Sequence, residues 1–255
     1  MSRRSIAATT GLVTFIAIWE AFVRLFDVRP FVLRAPSTAV HALWTFRDDF
    51  TRAALVTAFH ATAGLAVALA IGTAIGGVLA ANRFLDDAVQ PVLVLVLVTP
   101  WFAYVGAVVL WLGAGSPPAL FMVTLVCLPA FVFAATEGMR NVEPAALELF
   151  RSVAATRREV LWRLRLPSAL PSLFAAARID VGLALAAAYY VEGANFANDG
   201  IGAIGRRAAS QPSGADTVWA AVLAMAILGV GGLAIVSLLQ RTLLHWHHGT
   251  RRATR

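Results

Sequence analysis

The sequence contains no lysine, only one cysteine and few charged residues of any kind. Charged residues make up 14% of its 255 residues, where about 25% is typical of a soluble domain. The single cysteine, Cys127, stands inside an apolar run, which excludes an internal disulfide framework and a cysteine-based metal site. The mean hydropathy of +0.75 is too high for an ordinary soluble domain. We therefore predict a membrane protein.

Apolar runs of membrane-crossing length recur along the chain, and each ends in charge, proline or glycine. They predict six transmembrane helices, at residues 8–26, 55–81, 91–112, 118–136, 169–190 and 218–240. The first run has the basic flank of a signal peptide but lacks a small-residue cleavage pattern, so we expect a retained helix. Residues 1–255 are expected to form one all-α domain, a polytopic helical bundle.

The segment 34–50 is too polar to cross a bilayer. Pro36, with Ser37 and Thr38 as caps, predicts a short amphipathic helix that lies on the membrane surface.

The positive charge comes from arginines that cluster between the apolar runs. A net charge of +7 alone is compatible with nucleic-acid binding, but this placement indicates a topological cause, and no nucleic-acid partner is expected. Basic residues concentrate in cytoplasmic segments of membrane proteins. With both termini in the cytoplasm, thirteen arginines fall in inner segments and six in outer ones. The distribution predicts a multi-pass membrane protein with both termini cytoplasmic.

Residues 141–167 form a basic loop on the predicted cytoplasmic side. Pro144 is typical of a first helical turn, and Thr156 with Glu159 matches a capping box, so two short helices should meet near Ala154. The second should place apolar residues on one face and arginines on the other, and should end at Pro167 and Pro171. An amphipathic helix resting on anionic lipid is one interpretation. The two-helix layout favours a docking element, because a lipid-resting helix needs no fixed turn.

The same loop resembles the EAA loop of ABC importer permeases, written E-A-A-x3-G-x9-I-x-L-P. Glu148 is followed at the family's spacing by Ala154 and then by Leu164-Arg165-Leu166-Pro167. Other family segments match in the same order between about residues 12 and 245: RAPSTAV (34–40), VLWLG (109–113), PSALP (167–171) with ARI (177–179), and Glu192 with GIG (200–202). Together they are similar to the nitrate/sulfonate/taurine branch.

This resemblance implies a type I importer fold, a location in the cell's inner membrane and a set of partners. Such permeases form a homodimer or heterodimer, rest the loop on a dimer of cytoplasmic ABC ATPases, and receive solute from a periplasmic or lipid-anchored binding protein. ATP and Mg are bound by the ATPase, so no cofactor, metal or catalytic residue is expected in this chain. The docking residues implied are Glu148, Leu149, Phe150, Ala154, Arg157, Arg158, Leu164 and Pro167. Of the arginines, Arg157, Arg158 and Arg163 lie either at the rim of this surface or on lipid.

The loop departs from the family pattern at three positions. Leu149 and Phe150 replace paired alanines, and Ala154 replaces the glycine at the turn. In a left-handed turn, alanine costs on the order of 1 to 2 kcal/mol more than glycine. Either the turn differs here, or docking is adapted to a particular ATPase. Phe150 either fills a pocket on that partner or packs under the membrane helices.

The solute path is less defined by the sequence, although uptake of a small anionic or organic solute of the sulfonate, nitrate or taurine kind is expected from the resemblance. Polar residues within membrane helices are functional candidates by default. Weak candidates for the path are Trp101, Tyr104, Arg178, Tyr189, Tyr190, Glu192 and Asn195. Interfacial anchoring is the alternative for the aromatic residues, and headgroup contact is the alternative for Arg178.

Two other classes of function compete with transport. A membrane-embedded enzyme needs polar residues clustered at helical spacing, whereas in the sequence His60 is the only histidine within a predicted membrane helix and the acidic residues are scattered. The histidines of residues 245–248 lie in a basic tail and are expected to be solvated. A non-transporting scaffold whose basic loop recruits a partner is the second alternative.

Overall fold

A computed structural model describes residues 3–194 and 199–244, and every regular element in those two ranges is helical. Asn195 and the histidines of the tail lie outside them. The α-helices are α1 (Arg3–Leu25), α2 (Pro36–Thr45), α3 (Arg47–Ala81), α4 (Arg83–Val98), α5 (Val105–Leu112), α6 (Ser116–Arg140), α7 (Pro144–Ser152), α8 (Arg157–Val160), α9 (Leu166–Ala194), α10 (Ile201–Ala209) and α11 (Ala215–Leu243). A 3-10 turn over Trp101–Tyr104 precedes α5, and a π turn over Leu161–Arg165 joins α8 to α9.

In the described ranges five helices are long and apolar enough to cross a membrane, or six if one bent pair of helices is counted as a single span. The chain bends by 85° between α4 and the segment that consists of the 3-10 turn and α5. The prediction of one helix over 91–112 is therefore corrected. Thr99 is extended at this break, with φ −77° and ψ 129°. The next residue is Pro100, which disfavours helical backbone in the residue before it. The all-α bundle itself is confirmed.

Small residues allow the central helices α3 and α6 to approach closely. A β-carbon built on Gly72 would lie 2.6 Å from the β-carbon of Phe131, and one on Gly76 would lie 2.5 Å from that of Ala135. Such contacts leave no room for a side chain. Membrane helices associate largely through close packing of this kind, because lipid supplies little hydrophobic driving force between them.

A short helix, α2, is present within the segment 34–50 as predicted, but its capping is different. The residue before it is Ala35, and no side chain caps the helix from within the segment. Instead, the carboxylate of Glu20 on α1 accepts the backbone amide of Ser37 at 3.0 Å and the hydroxyl of Ser37 at 2.7 Å. The prediction that Ser37 and Thr38 are caps is therefore wrong, because a carboxylate from α1 takes that role.

The prediction that Pro167 and Pro171 end the loop helix is also wrong. One helix runs without interruption from Arg157 to Ala194. The amide of Leu166 donates to the carbonyl of Leu161 across the π turn, and the hydroxyl of Ser168 donates to the carbonyl of Leu164 at 2.7 Å. Prolines are tolerated in membrane helices when such alternative bonds satisfy the backbone groups around them.

Candidate functional site

The loop over residues 141–167, called the coupling loop below, folds as two short helices joined by a tight turn. Pro144 occupies the first turn of α7. The capping box that opens α8 is complete, since the hydroxyl of Thr156 accepts the amide of Glu159 at 3.3 Å and the Glu159 carboxylate accepts the amide of Thr156 at 2.9 Å. Both helix starts are confirmed as predicted from the sequence.

The turn between α7 and α8 is left-handed at Ala154, where φ is +51°. The amide of Ala155 donates to the carbonyl of Phe150, and the amide of Ala154 donates to the carbonyl of Arg151, each at 3.0 Å. This pair of bonds is the Schellman motif that ends many helices, a position where glycine is usual. The turn keeps the conformation that favours glycine although alanine occupies it.

The coupling loop presents large apolar side chains to its surroundings. Leu149 is 63% exposed, Val153 is 68% exposed and Trp162 is 60% exposed. Apolar groups exposed together on a surface commonly mark an interaction site. Sequence reasoning missed Val153 and Trp162 as candidates; the signal for Trp162 was an aromatic residue standing among arginines.

The expected docking residues divide by exposure. Three of them, Phe150, Leu164 and Pro167, are half-buried at the base of the loop. The others are exposed: Glu148, Leu149, Ala154, Arg157, Arg158 and Arg163. The exposed members lie on both short helices and at the turn, so the loop offers an apolar surface with charged residues beside it.

Three of the solute-path candidates come together in the membrane part of the bundle. The rings of Trp101 and Tyr190 meet edge to face, with centroids 5.6 Å apart. With Tyr189 they line a groove of about 540 Å³ between α9 and α11, called the aromatic groove below. Its remaining wall consists of small and apolar residues: Gly182, Leu185, Ala186, Val222, Met225, Ala226 and Gly229.

A second groove adjoins the first and shares Tyr189 and Tyr190 with it. Its volume is about 350 Å³, and it contains Arg206 from α10 together with Gly193 and Val218. Sequence reasoning did not select Arg206, because only the fold brings α10 beside the two tyrosines. The two grooves together place a cation next to an aromatic wall.

Two other candidates do not line the aromatic groove. Tyr104 packs in an apolar cluster with Val105 and Val108. Arg178 is exposed and donates to the hydroxyl of Ser237 on α11 at 3.4 Å. Their roles as solute contacts remain predictions.

Glu192 is fully buried where α3, α9 and α10 meet. One carboxylate oxygen accepts the hydroxyl of Thr57 at 2.8 Å and the amide of Gly202 at 3.1 Å. The other lies 2.9 Å from Nδ1 of His60. The view of His60 as an isolated residue is therefore wrong, because the fold joins it to a carboxylate 132 positions away. Glu192 is a packing element here and does not line the aromatic groove.

A metal centre finds no support in the described ranges. No group of three or more histidine, cysteine or acidic side chains in them is placed to hold a metal ion. Cys127 is buried, with its sulfur 3.9 Å from the backbone carbonyl of Asp180.

Comparison with known proteins shows the family to which the chain belongs. The pattern of the family described as "Binding-protein-dependent transport system inner membrane component" matches residues 66–245. The chain belongs to this family. It is a multi-pass permease subunit of an ABC importer, and it is not itself an enzyme, since ATP is hydrolysed by a partner ATPase.

Several curated permeases are similar over nearly their whole length. The formylaminopyrimidine transport permease protein ThiX of Halalkalibacterium halodurans is 28% identical over 96% of this chain and 97% of its own. The taurine transport system permease protein TauC of Escherichia coli is 24% identical over 97% and 92%. The putative aliphatic sulfonates transport permease protein SsuC of Escherichia coli is 25% identical over 92% and 89%.

The fold is also similar to a solved transporter. A chain from inward-facing conformations of the MetNI methionine ABC transporter superimposes with a TM-score of 0.61 at 18% identity. The match covers 74% of this permease and 95% of that chain. At this identity the likeness bears on the fold alone, and it agrees with the type I importer architecture expected from the sequence.

Proposed function

We propose that this permease imports a small organic solute that carries an anionic group, such as taurine or another sulfonate. It works as a dimer, either with a second copy or with a related permease. An external binding protein, periplasmic or lipid-anchored, delivers the solute. A dimer of cytoplasmic ABC ATPases binds ATP and Mg and contacts the coupling loop. Both termini of the permease lie on the same side of the membrane as this loop, in the cytoplasm.

The observation that carries the solute proposal is the position of Arg206 beside Tyr189 and Tyr190. Aromatic faces bind the apolar part of an organic solute, and an arginine guanidinium binds sulfonate or carboxylate oxygens. The relatives named above are described as permeases for formylaminopyrimidine, taurine and aliphatic sulfonates. All of these solutes are small organic molecules, and two of the three descriptions name a sulfonate.

The proposal that the ATPase acts on the solute path through the coupling loop rests on the continuity of the helix that leaves the loop. The span from Arg157 to Ala194 includes α8, the π turn and α9, and its later part supplies Tyr189 and Tyr190. A displacement of the loop by the ATPase is therefore delivered along one helix to the aromatic groove. Such a displacement can open the groove to one side of the membrane and close it to the other only if the two states make different contacts.

The proposal is tested by transport in proteoliposomes. The permease is purified from native membranes with its co-purifying ATPase and binding protein, and uptake of labelled taurine, an alkanesulfonate, nitrate and formylaminopyrimidine is measured with and without ATP. We expect ATP-dependent uptake of at least one sulfonate, and a loss of about tenfold in Arg206→Gln, as for removal of a charged hydrogen-bond donor. Uptake of formylaminopyrimidine alone contradicts the anionic assignment.

A scaffold that recruits the ATPase without transport predicts a different result. In that case the ATPase activity of the purified complex is the same with and without solute-loaded binding protein. The importer predicts stimulation, so this second measurement separates the two functions.

A further inference from the structure

We infer that Glu192 and Thr57 are positioning residues that hold α10 against α9 and α3, so that a displacement of α10 is transmitted to the coupling loop through the helix from Arg157 to Ala194. This inference rests on the proposed function for its transport consequence. Its structural part, the fastening of α10, is tested separately below.

The first step is the way in which α10 begins. The amide of Ile201 donates to the hydroxyl of Thr57 on α3 at 2.9 Å, and the amide of Gly202 donates to the carboxylate of Glu192 on α9 at 3.1 Å. The first amides of a helix have no partner within the helix. Here two of them are satisfied by side chains from two other helices, and the carboxyl group of Glu192 lies at the positive end of the α10 dipole.

The second step is the closeness of α9 and α10. A β-carbon built on Gly202 would lie 1.9 Å from the carbonyl oxygen of Tyr189, and one on Gly205 would lie 2.3 Å from the hydroxyl of Tyr189. At Gly200 the same test meets the carboxylate of Glu192 at 2.0 Å. The backbone of α9 at Tyr189 therefore lies directly against α10 at Gly202, and side chains of α9 fill the space beside Gly200 and Gly205.

The third step is the cost of a buried carboxylate. Glu192 is 0% exposed in a membrane-spanning helix, a position where an unsatisfied charge is very unfavourable. Both of its oxygens have partners, supplied by Thr57, His60 and Gly202. Release of α10 would remove the Gly202 amide and leave one oxygen less satisfied. The carboxylate therefore favours the docked position of α10.

The fourth step is the position of α10 at the end of the long helix opposite to the coupling loop. Besides the groove with Arg206, α10 lines a polar groove of about 670 Å³ that holds charges of both signs: Asp49, Arg52, Asp199 and Arg207. At the opposite end of the long helix lies the coupling loop. The 38 residues from Arg157 to Ala194 extend over about 57 Å, longer than the bilayer's hydrocarbon core, which is about 30 Å thick. The fastened pair thus connects the two ends of the permease.

The structural test compares Thr57→Val and Glu192→Gln with two controls. Thr57→Ser keeps the hydroxyl that accepts the Ile201 amide. Thr62→Val removes a hydroxyl of the same helix that bonds only to carbonyls of its own helix. Amide hydrogen exchange of residues 199–209 is measured in the assembled complex. We expect exchange at least about tenfold faster in Thr57→Val and Glu192→Gln, and unchanged exchange in both controls. Unchanged exchange in both test variants overturns the inference.

The functional test uses the ratio of binding-protein-stimulated to basal ATPase activity in proteoliposomes. Loss of the fastening should lower this ratio by about tenfold in Thr57→Val and Glu192→Gln, whereas Thr57→Ser and Thr62→Val should keep it. A normal ratio despite faster exchange shows that the contact is only structural and overturns the positioning role. Absence of stimulation in the unsubstituted complex instead contradicts the proposed function, and the exchange result still decides the fastening.

Discussion

The guanidinium of Arg140, at the end of α6, donates to the carboxylate of Asp86 in α4 at 2.5 Å. Its second terminal nitrogen donates to the carbonyl of Leu79 near the end of α3 at 2.7 Å. A cation at the end of a helix is favoured by the helix dipole and satisfies one of its free carbonyls. One side chain thus joins three helix ends immediately before the coupling loop begins.

Removal of Arg140 should destabilise the permease more than its partial exposure suggests. Asp86 is 5% exposed, so Arg140→Gln leaves a buried carboxylate without its cation, at a cost of on the order of 3 kcal/mol. Asp86→Asn should cost a similar amount, and the double variant should cost clearly less than the sum. Thermal unfolding of the purified permease measures these effects. Additive losses would show that the two groups do not interact, and Arg151→Gln, on exposed α7, is the control.

Substitution of Ala154 by glycine should stabilise the coupling loop. The left-handed backbone at this position strains any residue with a β-carbon, so Ala154→Gly should raise the free energy of unfolding by about 1 kcal/mol. Ala145→Gly, within α7, should have the opposite sign because glycine is a poor helix former. Proteolysis or hydrogen exchange of residues 144–160 reports the local effect. Equal destabilisation by both substitutions would contradict a left-handed turn.

Local features of the chain were predictable from the sequence, and contacts between distant segments were not. The capping box at Thr156 and the turn at Ala154 depend on residues within a few positions, so their pattern is visible along the chain. The bend after Thr99 also has a local cause, a following proline, that the apolar run of 91–112 obscured. In contrast, the pair of His60 and Glu192 depends on how α3 and α9 pack.

The aromatic residues of the grooves could be selected from the sequence alone, whereas Arg206 could not. Trp101, Tyr189 and Tyr190 could be selected as candidates from the sequence because aromatic residues near helix ends are conspicuous. Arg206 was missed because a basic residue in a short segment between helices is readily explained by membrane topology alone. Its relevance comes from the close packing of α10 on α9, which depends on three glycines whose role only the contacts reveal.

Close packing of α3 on α6 should make Gly76 intolerant of a side chain. A β-carbon there would lie 2.5 Å from that of Ala135 and 2.9 Å from the carbonyl oxygen of Val132. We expect Gly76→Ala to destabilise the permease by about 1 to 3 kcal/mol, as overpacking does in other cores. The matched control is Gly231→Ala on α11, where nothing lies within 4 Å. If both substitutions have equal effects on thermal unfolding, the close contact of α3 and α6 is incorrect.

The exposed apolar surface of the coupling loop should contribute to ATPase binding rather than to folding. Leu149→Ala and Glu148→Lys change exposed side chains, so thermal unfolding of the isolated permease should shift little. Phe150→Ala removes a half-buried ring and is the more disruptive change. If the loop is the docking surface, each variant should weaken co-purification of the ATPase, and the strongest should lower stimulated hydrolysis at least tenfold.

The control for this surface is Leu238→Ala on α11, which removes a side chain as exposed as Leu149 from a membrane-spanning helix. Because that position is expected to contact lipid, the substitution should leave ATPase binding unchanged. If Leu149→Ala, Glu148→Lys and Phe150→Ala all retain coupled hydrolysis, the loop does not dock the ATPase. The arginines beside it, Arg157, Arg158 and Arg163, would then be better explained by contact with anionic headgroups, which a dependence of the permease's thermal unfolding on the anionic lipid content of the proteoliposomes would measure.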